Sequence, residues 1–498
     1  MAAEANQIVA RAIGWSLADD EHRAAVDIAE AGRGLVLASV VLSGRVEAIL
    51  REAGQPAAAD AWHSGSEAGR ATALTALWDT ADGGSLLSTP IGEGISLTLV
   101  GTPFDAVVYL MPPAAPDSAG AGTDHGPEPM GHAMLIRPVF GQIEVVPLPG
   151  LAGLGSGTPL DAYLVALDRA LSGHDPRAAN DEGFRSGPAG KDWADELENL
   201  GQWTYATIMA PLLEHIRGWS LDHLPHLALI PLGELATIPF AASWTDRTPR
   251  GERRYAIDDA VLTYAASARL LGEVARRPRQ PLFERVVLVS DPAGELHMTR
   301  RATRRLGRRQ YPSAEVYGLK SDRNGPATCR ALLDALPATD RPGASLLQLS
   351  THGRLTPTPA LLAQDGWLPL SSILDQARDR PPDAPGGLVI TNACLTDTAQ
   401  GHFDESLTMA TAFLAAGATG VVGTRWPVDD DTAAALCLRL HYHLQRGYQP
   451  AEALQRAQLD LLRPTADTRA TLGPDLDALT DARLSHPATW AGHVHHGI

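Results

Sequence analysis

The chain has 498 residues, with 41 Lys and Arg against 58 Asp and Glu, for a formal charge of −17. That length predicts two or three domains, and that charge argues against non-specific nucleic-acid binding and against a polybasic membrane contact. Its three cysteines, Cys329, Cys394 and Cys437, are widely spaced, make no metal pattern and, being odd in number, suggest no disulfide framework, so a reducing cytoplasm fits them best.

The opening residues have neither a basic stretch nor a long apolar core, so no signal peptide is expected. No stretch reaches the roughly 18 uninterrupted apolar residues of a membrane span. Residues 1–90 read as helical, with apolar positions at helical spacing and many alanines. Residues 91–190 read as a small β-containing extension, with strands at 95–101 and 105–111. The stretch 112–131 is rich in Pro, Gly, Ala and Asp and is expected to be a mobile loop. A hairpin follows, 132–139 and 142–148, with Gly141 at the turn. Helices are expected at 158–173 and 190–218.

Residues 191–498 read as an α/β domain, and from about 225 strands and helices alternate. Strands are predicted at 226–231, 286–290, 346–350, 388–391 and 421–424. Helices are predicted at 266–276, 297–308, 326–336, 370–378, 405–416, 431–446 and 450–462. This is the pattern of a doubly wound, mostly parallel sheet flanked by helices. No internal repeat stands out.

Two of the predicted strands carry the chemistry. The run from Ser345 to Ser350 stops at Thr351-His352-Gly353, and the run from Gly387 to Thr391 stops at Asn392-Ala393-Cys394. Both read as short buried strands of a parallel sheet, whose carboxyl ends form the site in such folds. A His and a Cys delivered there, about forty residues apart, have the parts of a thiol nucleophile and its base. Taken alone, a buried cysteine is more often a small core residue, and a strand-end histidine can simply cap a turn. Position tips the balance: Cys394 precedes the polar turn Leu395-Thr396-Asp397-Thr398, whereas Cys329 and Cys437 sit inside helical patterns and read as structural. Gly353 allows close backbone approach, and the N–H groups of Gly353 and Cys394 are candidate oxyanion donors. No third orienting residue is evident.

The chain resembles the CHAT peptidases, caspase-like cysteine peptidases related to separase and usually attached to tetratricopeptide arrays. The resemblance rests on Leu229-Ile230-Pro231-Leu232-Gly233-Glu234-Leu235 with Ile238-Pro239-Phe240, on Val287-Leu288-Val289-Ser290-Asp291-Pro292, and on the two strand ends. It continues through Asp404-Glu405, Ala416-Gly417-Ala418, the run Val421-Val422-Gly423-Thr424-Arg425-Trp426-Pro427-Val428-Asp429-Asp430, Glu452-Ala453-Leu454, and His486-Pro487 before Trp490-Ala491. It covers about 190–498, and Ala29–Gly34 resembles the helix that usually closes the repeat array. It implies a caspase-like fold, His352 and Cys394 as the dyad, a protein substrate, a regulatory protein partner and a bacterial regulatory or defence role. It implies no cofactor. Two departures stand out. The closing strand, usually apolar, reads Gly492-His493-Val494-His495-His496, and only the last helix or two of an array precedes the domain. A separately encoded partner or a truncated chain would each account for the second.

In this clan the pocket for the residue before the cut lies beside the nucleophile strand and its neighbour. Asp430, Asp404, Glu405 and Trp426 are therefore the candidate substrate-binding residues, and a desolvated carboxylate there would select Arg or Lys. Asp429 and Asp431 fit equally well as acids opening the next helix. The histidines 493, 495 and 496 are expected to form a surface tail rather than a metal site, because no paired Cys or carboxylate ligands accompany them, and His441 and His443 are two apart and do not share a helical face. The stretches 181–191 and 246–254 are polar and contain Arg; they fit processing sites or ordinary exposed loops. The expected function is thus a cysteine endopeptidase. The alternatives are a catalytically silent scaffold on the same fold, or a thiol hydrolase of small acyl substrates, which the lack of a Gly-x-Cys-x-Gly elbow disfavours.

Overall fold

The computed structural model describes residues 2–31, 33, 46, 49–63, 67–78, 99–113, 130–138, 141–152, 154–172, 187–246, 253–338, 341–356, 358–378, 380–381, 383–398 and 407–498. Its centre is one sheet of eleven strands, ordered β3-β2-β1-β4-β7-β16-β15-β14-β10-β8-β9. In chain order these are β1 (Ala106–Met111), β2 (Gly131–Ile136), β3 (Ile143–Leu148), β4 (His226–Pro231), β7 (Val261–Tyr264), β8 (Val286–Ser290), β9 (Glu315–Tyr317), β10 (Leu346–Ser350), β14 (Leu388–Asn392), β15 (Gly420–Thr424) and β16 (His493–Gly497). A two-stranded ribbon, β5 (Trp244–Asp246) with β6 (Arg253–Tyr255), and a three-stranded one, β11 (Gly353–Arg354), β12 (Ala360–Ala363) and β13 (Gly366–Pro369), decorate it.

Inside the edge strands β3 and β9, nearly every residue of the main sheet is buried, because helices cover both faces, and buried parallel strands read as continuous apolar runs. Alternate residues serve opposite faces. Leu227, Leu229, Leu288 and Leu346 enter one core, while Ala228, Ile230, Val287, Val289, Leu347 and Leu349 enter the other. The first face is covered by α5 (Pro159–Ser172), α6 (Pro188–Thr204), α7 (Ala210–Arg217), α9 (His297–Arg309), α13 (Asp430–Gln445) and α14 (Pro450–Leu462). The second is covered by α1 (Ala2–Ala18), α2 (His22–Ala31), α8 (Ala268–Ala275), α10 (Cys329–Asp334), α11 (Leu370–Arg378) and α12 (Met409–Ala415). Helices α3 (Pro56–His63) and α4 (Glu67–Trp78) form a small cluster of their own, and α15 (Ala466–Leu472), α16 (Asp481–Ser485) and α17 (Pro487–Trp490) precede β16.

All five strands predicted from 225 onward are present within a residue of their expected bounds, and the helices from 266 onward sit close to theirs. The strand expected at 95–101 does not form over its described part, since residues 99–101 are a turn and 95–98 lie outside the described residues. Most of the loop 112–131 also lies outside them, as do 181–186, 247–252, Asp404 and Glu405. The helix expected over 190–218 is divided by a π turn at Tyr205–Met209, where Pro211 has no N–H to return to the turn before it. Strands β7, β9 and the β12–β13 hairpin went unpredicted because each is only three or four residues long.

The β-containing extension joins the main sheet, where β1 pairs in parallel with β4 and carries β2 and β3 with it. One finding changes the organisation expected from sequence. The terminal histidines are not a surface tail. They form β16, antiparallel to β15 and parallel to β7, in the middle of the sheet. A histidine survives there when neutral, and at least cost where it is hydrogen-bonded. His495 Nδ1 lies 3.0 Å from Thr263 Oγ1, which lies 2.9 Å from His226 Nε2, a polar relay across three adjacent strands. Burial lowers His226 to about 4 and His493 to about 3, so both stay uncharged.

The N-terminal helices are tied to the sheet through two buried charged residues. The Glu30 carboxylate accepts from Tyr109 Oη at 2.7 Å and from the backbone N–H groups of Ala268 at 2.8 Å and Arg269 at 3.2 Å, at the start of α8. An anion is favoured at a helix N-terminus. Arg33 donates to the carbonyls of Ala266 at 2.9 Å and Pro231 at 3.1 Å, at the carboxyl ends of β7 and β4. Glu30→Ala would leave three buried donors without their acceptor. We expect it to lower stability by about 2–3 kcal/mol, read as a fall in the urea midpoint, with Glu30→Gln losing less.

Candidate active site

Strands β10 and β14 are parallel neighbours in register, from Leu346↔Leu388 to Ser350↔Asn392. His352 and Cys394 each follow two residues after the last of these pairs, so the ladder delivers them side by side at the carboxyl edge. A Cβ at Gly353 would collide with the backbone of Cys394. Glycine is therefore required by close approach, as its place beside His352 suggested.

Cys394 is half-buried and free. Burial pushes its thiol up to about 11; Asp429 adds to the rise and a backbone hydrogen bond from Val428 opposes it. His352 is buried, and desolvation lowers it, against the pull of Glu295, Asp291 and Asp430. At neutral pH the resting pair is a neutral thiol beside a neutral imidazole.

A carboxylate stands beside the imidazole: Glu295 Oε2 lies 3.1 Å from His352 Nε2. It stands in the loop that leaves β8, on the far side of β10 from β14. Asp291 builds that loop: its Oδ1 accepts the N–H of Gly294 at 2.9 Å and of Glu295 at 3.0 Å, and its own N–H donates to Ser350 O at 2.8 Å. Asp291 adopts φ 50 and Leu395, next to Cys394, adopts φ 60. Two non-glycine residues in this sparsely populated region flank the dyad, as strained backbone tends to do at functional sites. Sequence reading quoted Ser290-Asp291-Pro292 but missed Glu295, because the order of strands that makes the two loops neighbours is not written in any local pattern.

The expected specificity residues are placed differently. Asp430 is a helix cap: its Oδ2 accepts the N–H of Met298 at 2.7 Å and its Oδ1 that of Thr299 at 2.9 Å, at the start of α9. Both oxygens are thus engaged, which corrects its assignment as a substrate ligand. Trp426 is fully buried, donates from Nε1 to Ala488 O at 2.9 Å and stands edge-on to Trp193 at 5.3 Å, so it is core and not pocket wall. Asp429 and Asp431 are bound by Arg483, at 3.1 and 2.8 Å. Asp404 and Glu405 lie outside the described residues.

Beside the turn after Cys394 opens a cavity of about 560 Å³, walled by Leu164, Leu167 and Leu171 of α5 and by Arg354, Leu395 and Asp397. Among the described residues no group of three His, Cys, Asp or Glu side chains is arranged to hold a metal, and no helix is long and apolar enough to cross a membrane. His441 and His443 have structural partners: His441 bridges Tyr311 Oη at 2.8 Å and Gln348 Oε1 at 3.0 Å, and His443 contacts Asp460 at 2.5 Å.

The family model described as CHAT domain matches residues 198–498. The separase–securin complex of Saccharomyces cerevisiae aligns with a TM-score of 0.47 and 10% identity, over 89% of this chain and 34% of the separase chain. The chain therefore spans about a third of that protein. The pro- and mature-domain complex of RgpB from Porphyromonas gingivalis aligns with a TM-score of 0.37 and 10% identity, over 62% of this chain and 76% of that one. The Arg-specific cysteine proteinase gingipain R gives 0.38 and 9%, over 62% and 75%. No curated protein matches this chain.

Removing the Asp430 cap is expected to cost about 1–2 kcal/mol without altering which residue is preferred at a cleavage site. Thermal melts and peptide profiling of Asp430→Ala measure the two effects separately.

Proposed function

This chain belongs to the CHAT domain family, and on that premise we propose that it is a cysteine endopeptidase using Cys394 as nucleophile, His352 as base and Glu295 to hold the base. One observation carries the proposal: the ends of two paired parallel strands bring His352 and Cys394 to one edge, with a carboxylate 3.1 Å from the imidazole.

With Nε2 turned to Glu295, the imidazole presents Nδ1 to the thiol. His352 takes the thiol proton, and the thiolate sulfur adds to the scissile carbonyl. The oxyanion is received by backbone N–H groups of Gly353 and Cys394. Collapse expels the amine, which takes the proton from His352, and leaves a thioester. Water then attacks, deprotonated by His352, and the carboxylic acid leaves as the thiol re-forms.

The raised thiol and lowered imidazole support a resting site that needs activation, because their neutral forms are a poor nucleophile pair. A protein partner or the substrate itself would supply that activation by reordering the loops at the edge. The negative field that Glu295 and Asp291 set around His352 favours a positively charged substrate residue before the cut. The same raised thiol also favours the second reading, a catalytically silent scaffold.

A fluorogenic peptide panel varied at the residue before the cut, with and without lysate of the native host, separates the two readings. We expect turnover by wild type, fastest after Arg or Lys, and none by Cys394→Ala. Silence in every condition, with no labelling of Cys394 by a peptide electrophile, would favour the scaffold. Glu295→Gln is expected to reduce kcat/KM by about 10- to 100-fold. Glu295 raises His352, so its neutralisation lowers the base further, and the acid limb of the pH–rate profile should move to lower pH.

A further inference from the structure

Behind the nucleophile, three buried polar residues meet where the two halves of the sheet join. Asp397 stands three residues after Cys394, and its N–H donates to Thr424 O at 2.8 Å, fastening the turn to β15. One carboxylate oxygen accepts from Arg425 Nε at 3.1 Å, and the other lies 2.6 Å from His496 Nε2. All three side chains are buried.

Arg425 also crosses to the other half. Its Nη1 donates to Ile238 O at 2.7 Å, and its guanidinium lies 4.2 Å from the ring centroid of Tyr264 on β7. Tyr264 Oη donates to the same carbonyl at 3.1 Å and accepts the Phe240 N–H at 2.8 Å. On the backbone, the two halves meet at the pair His496↔Tyr264.

We propose that Asp397 and Arg425 are positioning residues for Cys394, forming a latch through which the alignment of the two half-sheets sets the geometry of the nucleophile turn. The inference rests on the cysteine-peptidase reading above. Well-packed apolar residues would fill this space without the desolvation cost of buried charge, whereas an ion pair with directional partners admits one arrangement. Leu395, at φ 60 between the nucleophile and the latch, is the kind of backbone that persists only when its surroundings over-determine it. The histidine closing the latch also belongs to the strand whose polar sequence departs from the family pattern, so this departure acquires a role.

The test uses the full chain and reads two quantities: the rate of Cys394 alkylation by iodoacetamide, followed by peptide mass spectrometry, and kcat and KM on the best peptide. Asp397→Asn should lower kcat by about tenfold or more while KM stays within about threefold, and should change the alkylation rate by about fivefold or more. Arg425→Lys, which keeps the charge but loses the fork, should fall between. Asp460→Asn, which removes the charge of one carboxylate partner of the buried Arg439, 2.5 Å away, is the comparator. It should lower the melting temperature yet leave both rates within about twofold. Wild-type alkylation and kcat in Asp397→Asn, or equal changes in Asp460→Asn, would overturn the latch. If Asp397→Asn fails to fold, Arg425→Lys decides by the same readouts. If wild type cleaves no peptide, the peptidase reading fails while the alkylation arm still decides the latch.

Discussion

The parallel ladder between β10 and β14 is the interaction on which the rest depends. Its register, Ser350 opposite Asn392, is set by the apolar side chains of both strands, since a slip of one residue would turn each set to the wrong face. Backbone hydrogen bonds, and not the reactive side chains, therefore hold His352 and Cys394 at one edge. Gly353 is the steric condition of that arrangement, because only a residue without Cβ lets the two backbones pass.

Around that ladder the interior is unusually polar for a buried sheet. Gln348, in mid-strand on β10, is joined to His441 of α13, and His441 to Tyr311. Thr263 links His226 to His495 across the adjacent β4, β7 and β16. Each of these groups would be costly if isolated and is tolerable because it has a polar partner. Networks of this kind fix one packing among several of similar apolar content, which suits a sheet assembled from two halves that meet on a single antiparallel-and-parallel strand, β16.

What could be read from the sequence divides along a physical line. Long apolar runs ending in Ser350-Thr351-His352 and Thr391-Asn392-Ala393-Cys394 announce buried strands and place these two side chains at their ends, because that signal is local. Asp430 misled because an acid near a strand end looks the same whether it meets a substrate or caps a distant helix; its partners, Met298 and Thr299, are more than a hundred residues away in sequence. Trp426 misled for a similar reason, its burial being decided by Trp193 and Ala488. The run at 493–496 was taken for surface because histidine is polar, and only its partners on β15 and β7 make it a strand. Glu295 needed the strand order, which is a property of the whole sheet.

The place of β16 has a consequence for the life of the chain on the ribosome. The strand that seats between β7 and β15 is made about a hundred residues after the turn that follows Cys394. At ordinary elongation speeds that is a delay on the order of 5–20 s. Until 493–497 emerge, the two half-sheets have no strand to join them and Asp397 has no His496 to meet. A nascent chain thus carries Cys394 through that interval with the surroundings of the cysteine unfinished.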